Sequence, residues 1–332
     1  MANTLMRAEA LSAPEVIAKQ LTSNATVCRR VANDICAFDP EFVYIIGRGS
    51  SDHAGVFAKY LIEVELGIAV SSAAPSVFSI FKQRINLKRA LVLVISQSGA
   101  SPDIIEQTKA AKEAGAFTVG LINTPNSPLS AVVAAEICLH AGSEKAVAAT
   151  KSYLATLSAA LQLIAYWKED KKLLEALAAL PNAMLQAQKG EAKLRLEHVK
   201  NLSHCIVLGR GFGFAISKEI ALKLKEVCSI HAEAFSSAEF LHGPVALANK
   251  PLCVLDVAVE DESFESHNGV LSDLRSRGLK PHAIHLRNCE LHYRLLPLLT
   301  MQRFYLDIEH LAIQMGFDPD SPAGLNKVTK TL

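Results

Sequence analysis

The sequence predicts an α/β protein of two tandem domains, each a mostly parallel sheet flanked by helices in a three-layer α/β/α arrangement. Three observations carry this expectation. Short apolar runs rich in Val, Ile and Leu alternate with helix-length stretches, the pattern of a parallel sheet covered on both faces. The chain also repeats itself: Tyr44-Ile45-Ile46-Gly47-Arg48-Gly49-Ser50 returns as Ile206-Val207-Leu208-Gly209-Arg210-Gly211-Phe212, and Phe78 returns as Phe240. Both pairs share an offset of 162 residues (209 − 47 and 240 − 78). Finally, 332 residues suffice for two units of ~150 residues, each with its own core.

In chain order, residues 1–40 read as a helical segment that packs across the domains. The first domain spans 41–180, with strands at 42–46, 68–70, 91–96, 117–122 and 136–139 and helices at 53–65, 102–114 and 127–134. A long helix at 149–172, carrying Trp167, leaves this domain. Helical stretches at 173–180 and 184–199, broken by Pro181, lead into a second domain at 195–316. Its strands are placed at 205–208, 229–232, 252–257 and 282–286, and its helices at 215–226, 267–277 and 295–315. Residues 317–332, rich in Pro, Asp and Asn, read as an irregular tail.

Composition narrows the function. With 34 basic and 33 acidic residues the net charge is +1, which gives no field for nucleic acid or an anionic membrane. No run reaches the roughly 18 to 20 apolar residues needed to span a bilayer, and the N-terminus lacks a secretory pattern, so a cytoplasmic location is expected. The seven cysteines form no C-x-x-C pair and are expected to be buried thiols in a reducing compartment. His282 and His285 sit three apart in a strand-like run, so they face opposite sides, and no metal site is expected.

The run Leu91–Ile95 ends in Ser96-Gln97-Ser98-Gly99-Ala100-Ser101 before a helix expected from Pro102. Hydroxyls and free backbone N–H groups at a helix N-terminus suit a phosphate monoester, although Ser and Gly are also ordinary turn residues. The second copy is the control. There the corresponding loop reads Val259-Glu260-Asp261-Glu262, whose carboxylates repel a phosphate dianion. A dinucleotide reading of the Gly-Arg-Gly turns fails, because neither copy has the third glycine in register and no acidic ribose-binding residue follows.

Acid–base candidates lie in the second domain. Glu219, Lys223 and Glu226 are spaced i, i+4 and i+7 and therefore share a helix face. A solvent-exposed ion-pair stripe would look the same. The sequel, His231-Ala232-Glu233 and then Glu239-Phe240-Leu241-His242-Gly243-Pro244, adds imidazoles at a shaped turn, and together these groups form a general acid–base set.

At this point a resemblance covers nearly the whole chain. Gly49-Ser50-Ser51-Asp52-His53-Ala54-Gly55, Ser96-Gln97-Ser98-Gly99, Val147-Ala148-Ala149-Thr150-Lys151, Ala221–Glu226, Glu239–Pro244 and Leu325-Asn326-Lys327-Val328-Thr329 resemble, in order, the isomerase half of glucosamine-6-phosphate synthase, built from two sugar isomerase (SIS) domains. The resemblance implies substrate binding by Ser50, Ser51, Ser96, Gln97, Ser98 and Ser101, with backbone of Val147 and Ala149 near the sugar. It implies that Glu226 moves a proton between C1 and C2 beside Lys223 and Glu219. The resemblance also implies that His242, reaching over from a neighbouring subunit, assists ring opening and that Lys327 closes over the ligand. A homodimer with a small-molecule sugar-phosphate substrate and no cofactor is expected. Arg48 stands where the synthases have a small or thiol side chain, and Asp52 replaces an aromatic residue.

The synthases also need an N-terminal glutaminase with an exposed cysteine, and here residue 2 is Ala2 and the first cysteine is Cys28. The expectation is therefore an isomerising deaminase that converts glucosamine 6-phosphate to fructose 6-phosphate and ammonia. A SIS enzyme for another amino sugar phosphate or fructosamine 6-phosphate, and a non-catalytic sugar-phosphate sensor, are the alternatives. Retention of Glu226, Lys223 and His242 argues against the sensor.

Overall fold

A computed structural model describes residues 4–200, 204–249, 252–287 and 290–327. The chain begins with α1 (Leu5–Phe38), a single helix despite Pro14 inside it. Its buried positions Met6, Ala10, Ala13, Ile17, Cys28, Val31 and Ile35 follow the helical period, which holds the helix together across the proline. There follow β1 (Phe42–Ile46), α2 (Ser50–Leu66), β2 (Val70–Ser72), α3 (Pro75–Ser79), β3 (Ala90–Ser96), α4 (Pro102–Glu113), β4 (Phe117–Ile122), β5 (Ala135–Cys138), α5 (Lys151–Trp167) and α6 (Lys171–Lys189). The remaining elements are α7 (Leu196–Val199), β6 (His204–Gly209), α8 (Phe212–Cys228), β7 (His231–Ser236), α9 (Ser237–Phe240), β8 (Cys253–Val257), α10 (Phe264–Ser276), β9 (His282–Ala283) and α11 (Leu296–Gln314).

The strands form two sheets, in the order β2-β1-β3-β4-β5 and β7-β6-β8-β9, and every pairing is parallel. In each sheet the chain starts centrally, steps outward and then crosses back, so the strand order reverses beside the first strand. Ligands of open parallel sheets settle outside the carboxyl ends at such a reversal. That places attention on the turns after β1 and β3 in one sheet and after β6 and β8 in the other.

Two compact units contain these sheets. One comprises Glu15–Glu144 and Lys151–Ala178; the other comprises the described residues up to Pro14, Lys145–Thr150 and Ala179–Lys327. In the first, Ile46, Val92, Val94, Ile104, Ile122 and Leu129 form a core cluster, each burial contributing about 1.5–3 kcal/mol. In the second, Ile206, Leu208, Phe240, Val254, Leu271 and Leu274 do the same.

The internal repeat is structural. The helices α2 and α8 are both 17 residues long and offset by 162 at each end (212 − 50 and 228 − 66). Their preceding glycines share one conformation, φ 54° and ψ −127° at Gly49 and φ 54° and ψ −125° at Gly211. Both helices stop at a left-handed residue, Gly67 and Ser229.

Several sequence expectations change. Residues 127–134 form turns, not a helix, because Ser127 Oγ accepts the Ser130 N–H at 3.3 Å and meets Ser130 Oγ at 2.8 Å, a local bond that competes with helical pairing. Pro181 does not break the chain: α6 runs through it, with Leu173, Leu177, Leu180 and Met184 buried along one stripe. The helix ends at Lys189, so only Leu196–Val199 remains of the expected stretch to 199. Strand β7 starts at His231 because Ser229 caps α8, and β9 is only two residues long. Cys28, Cys205, Cys228 and Cys253 are buried, whereas Cys36 is exposed and Cys138 half-buried. Cys289 and the tail beyond Lys327, including Val328 and Thr329, lie outside the described residues.

Candidate active site

In the first unit the hydroxyl loop joins β3 to α4, and its carbonyls are turned into the scaffold. Ser96 O accepts from Asn123 N (3.3 Å), Gln97 O from Thr124 N (3.2 Å) and Gly99 O from Leu129 N (3.0 Å). Those bonds tie the backbone carbonyls of the loop to the scaffold, and the loop residues line a cleft. Ser96 Oγ accepts the Gly99 N–H at 3.0 Å and Ser98 Oγ the Ala100 N–H at 3.3 Å. Each hydroxyl thus retains its own proton to donate. Gly99 makes the turn possible at φ 61°. Helix α4 starts at Pro102 with no side-chain cap from Ser101, so its positive end adds to the donors.

These groups line a cleft of about 340 Å³ with Arg48, Gly49, Ser51 and Asp103. Ser51, Ser96, Gln97, Ser98 and Ser101 are therefore brought together at the strand-order reversal between β1 and β3. Ser50 begins α2 and is half-buried.

In the second unit the face of α8 is an ion-pair triad, and it is not a solvent stripe. Lys223 Nζ lies 3.0 Å from Glu219 Oε1 and 2.6 Å from Glu226 Oε2. The side chains of Glu219 and Lys223 are 0% exposed and that of Glu226 is 22% exposed. Tyr305 on α11 donates its hydroxyl to Glu219 Oε1 at 3.4 Å. Burial disfavours the Lys223 ammonium, but the two carboxylates outweigh it and hold the group above its ordinary value. Glu226 lines a cavity of about 580 Å³ together with Leu222, Lys225, Ser229, Phe317, Asp318 and Leu325.

The segment carrying Val147 and Ala149 belongs to this second unit. Glu9 accepts the N–H groups of Lys145 and Ala146, and Val147 N donates to Asp320 O at 3.0 Å. Lys327 joins it, donating Nζ to Ala146 O at 2.8 Å. His242 sits exposed on the turn after α9, its N–H on Glu239 O at 3.0 Å, and does not line the Glu226 cavity. Among the described residues no group of three His, Cys, Asp or Glu side chains could hold a metal, and no helix is long and apolar enough to cross a membrane.

The sequence reading passed over three contributors. Asp103 and Arg48 pair across 55 positions, Glu9 shapes the 145–147 backbone from α1, and Tyr305 reaches Glu219 from α11. Only Asp103 left a trace, an acidic residue in the first turn of the helix after the loop.

Two parallel sheets, a hydroxyl loop and an enclosed ion-pair triad define a protein of the sugar isomerase type. Residues 39–166 and 199–288 match the SIS domain, and the chain belongs to the SIS domain family. It is 31% identical over 322 residues to the glutamine--fructose-6-phosphate aminotransferase [isomerizing] of Thermus thermophilus, covering 88% of this chain and 53% of that protein. The chain thus spans about half the length of the curated relatives it matches. Its structure resembles that of a protein of Silicibacter pomeroyi provisionally assigned as a phosphosugar isomerase, with TM-score 0.89, 38% identity and coverage of 96% and 100% of the two chains. It also resembles the C-terminal domain of glucosamine-fructose-6-phosphate aminotransferase from Francisella tularensis, with TM-score 0.83, 26% identity and coverage of 96% and 98%.

Proposed function

We propose that this protein is an isomerising deaminase acting on glucosamine 6-phosphate. The observation that carries the reading is the α8 triad: a wholly buried Lys223 holds Glu226 by its Oε2, and of the three side chains only that glutamate is open to solvent and to a cavity. A carboxylate with a fixed cationic neighbour is suited to taking a carbon-bound proton and stabilising the charge that develops. The likeness to the isomerase half of an amino sugar phosphate synthase supports a substrate with an amine at C2.

In this reading the loop 96–101 binds the phosphate and supplies remote binding energy that fixes the sugar. The opened sugar presents an aldehyde at C1 and an amine at C2. Glu226 removes the C2 proton while O1 is protonated, giving an enolamine. Return of a proton to C1 gives the C2 iminium, water adds at C2, and ammonia leaves to give fructose 6-phosphate. Lys223 and Glu219 hold the carboxylate in place, His242 assists ring opening from a neighbouring subunit of a homodimer, and Lys327 closes over the ligand.

The test is to incubate the purified protein with glucosamine 6-phosphate and follow ammonia and fructose 6-phosphate. Both products should rise together, and no product at saturating substrate removes the proposal. Glu226→Gln should abolish exchange of the C2 hydrogen with solvent while ligand binding stays measurable. Ser98→Ala should mainly raise KM.

A further inference from the structure

Among the described residues that line the cleft beside the hydroxyl loop, Arg48 is the one cation, and it is held in a specific attitude. Arg48 lies between Gly47 and Gly49 in the turn from β1 to α2, and it lines the same cleft as Ser96, Gln97, Ser98 and Ser101. Its Nε and Nη2 donate to the single oxygen Oδ2 of Asp103, at 3.0 and 2.7 Å. Asp103 is a residue of the first turn of α4, its side chain 4% exposed, whereas that of Arg48 is 43% exposed. One edge of the guanidinium is therefore fixed by a buried carboxylate, while the side chain stays 43% exposed and lines the cleft. An arginine orientated in this way offers planar donors whose geometry fits phosphate oxygens.

In the second unit a different arginine, Arg294 and not the repeat counterpart Arg210, meets the corresponding loop. Where its loop carries Asp261 and Glu262, the guanidinium of Arg294 is turned inward. It pairs with Glu262 at 2.7 and 3.0 Å, lies 4.7 Å from the centre of the Phe212 ring, and has a side chain only 3% exposed. That arginine neutralises the protein's own carboxylates. Arg48 is instead shared between a carboxylate and a cleft.

We propose that Arg48, orientated by Asp103, is a phosphate ligand and determines the preference of this cleft for a dianion. The inference rests on the reading that the loop 96–101 takes the phosphate of the substrate. Hydroxyls and N–H groups hold monoanions and dianions by hydrogen bonding, but a second unit of ligand charge is favoured chiefly by a fixed positive charge.

The experiment measures binding of inorganic phosphate and of glucosamine 6-phosphate to the full chain, with steady-state kinetics alongside. Arg48→Ala strands a buried carboxylate, so the informative variants are Arg48→Lys and the double change Arg48→Ala with Asp103→Asn. Each should weaken both ligands by about tenfold or more at pH 7.5, consistent with loss of charge-assisted hydrogen bonds. In the double variant, which removes the cation from the cleft, the difference from wild type should shrink as pH falls below the second phosphate ionisation near 6. Phosphate affinity unchanged in both variants, or lost equally above and below pH 6 in the double variant, overturns the proposal. Binding of inorganic phosphate is read without turnover. A wild-type protein that makes no fructose 6-phosphate, but whose Arg48 variants lose phosphate affinity, therefore sinks the deaminase reading and keeps this one.

Discussion

Nζ of Lys223 lies 2.6 Å from Oε2 of Glu226, and of these two side chains only the glutamate reaches solvent. The repeat shows how unusual this helix face is. The matching positions on α2, 162 residues earlier, are Phe57, Leu61 and Val64. Phe57 and Leu61 are fully buried and Val64 is 52% exposed. The same backbone therefore accepts apolar side chains where α8 buries Glu219 and Lys223. Replacing apolar packing with a buried ion pair is often neutral or costly for stability, so the triad is not there for folding alone.

Lys223→Met should leave Glu219 charged and enclosed, and should lower stability by about 3–5 kcal/mol. Pairing it with Glu219→Gln should recover most of that loss. Urea unfolding of the three proteins checks this, and a single variant as stable as wild type would show that the pair is not enclosed in solution.

The same pair sets an alkaline limit. Burial opposes the Lys223 charge, but Glu219 and Glu226 raise the folded pKa above the ordinary 10.5. A raised pKa means the stabilisation is complete below the unfolded value and is lost as pH climbs through the folded one. The stability difference between wild type and Lys223→Met should stay level from about pH 7 to 10 and narrow only above 10.5. Narrowing already at pH 8 would contradict the arrangement.

Thiol reactivity should separate the cysteines. Burial pushes Cys28 and Cys228 up to about 12, so at pH 8 about one thiol in ten thousand of each is ionised, while Cys36 is exposed. Brief alkylation of the native protein followed by peptide mass mapping should label Cys36 and spare Cys28 and Cys228 until denaturant is added. Early labelling of Cys28 would mean that α1 opens readily.

What the sequence disclosed follows physical range. The repeat, the parallel strands and the shared face of Glu219, Lys223 and Glu226 are local patterns, and the fold and helix face can be read from them. The burial of that face could not be read, because i, i+4 ion pairs look alike in solvent and in a core; the apolar side of α11 packed on α8 decides it. Pro181 misled because its local preference was overridden by a buried stripe on both sides of it. Arg48 with Asp103 and Lys327 with Ala146 join residues 55 and 181 positions apart, contacts that only the topology creates.

Gly99 gives the sharpest test of the loop. Its φ of 61° suits glycine, and an added Cβ would stand 2.1 Å from Ser127 Oγ and 2.5 Å from Ser127 Cβ. Gly99→Ala must therefore shift either the loop or the 127–130 turn that anchors it, on top of a backbone cost of about 1–3 kcal/mol. Gly67→Ala is the control, because Gly67 has a similar φ of 67° but no atom within 4 Å of an added Cβ. Both variants should lose some stability, yet only Gly99→Ala should weaken phosphate binding, by tenfold or more if the strain falls on the donors. Equal phosphate affinity in the two variants would mean that the loop tolerates the clash, and that the turn of Ser96 to Ser101 does not depend on the packing of Ser127.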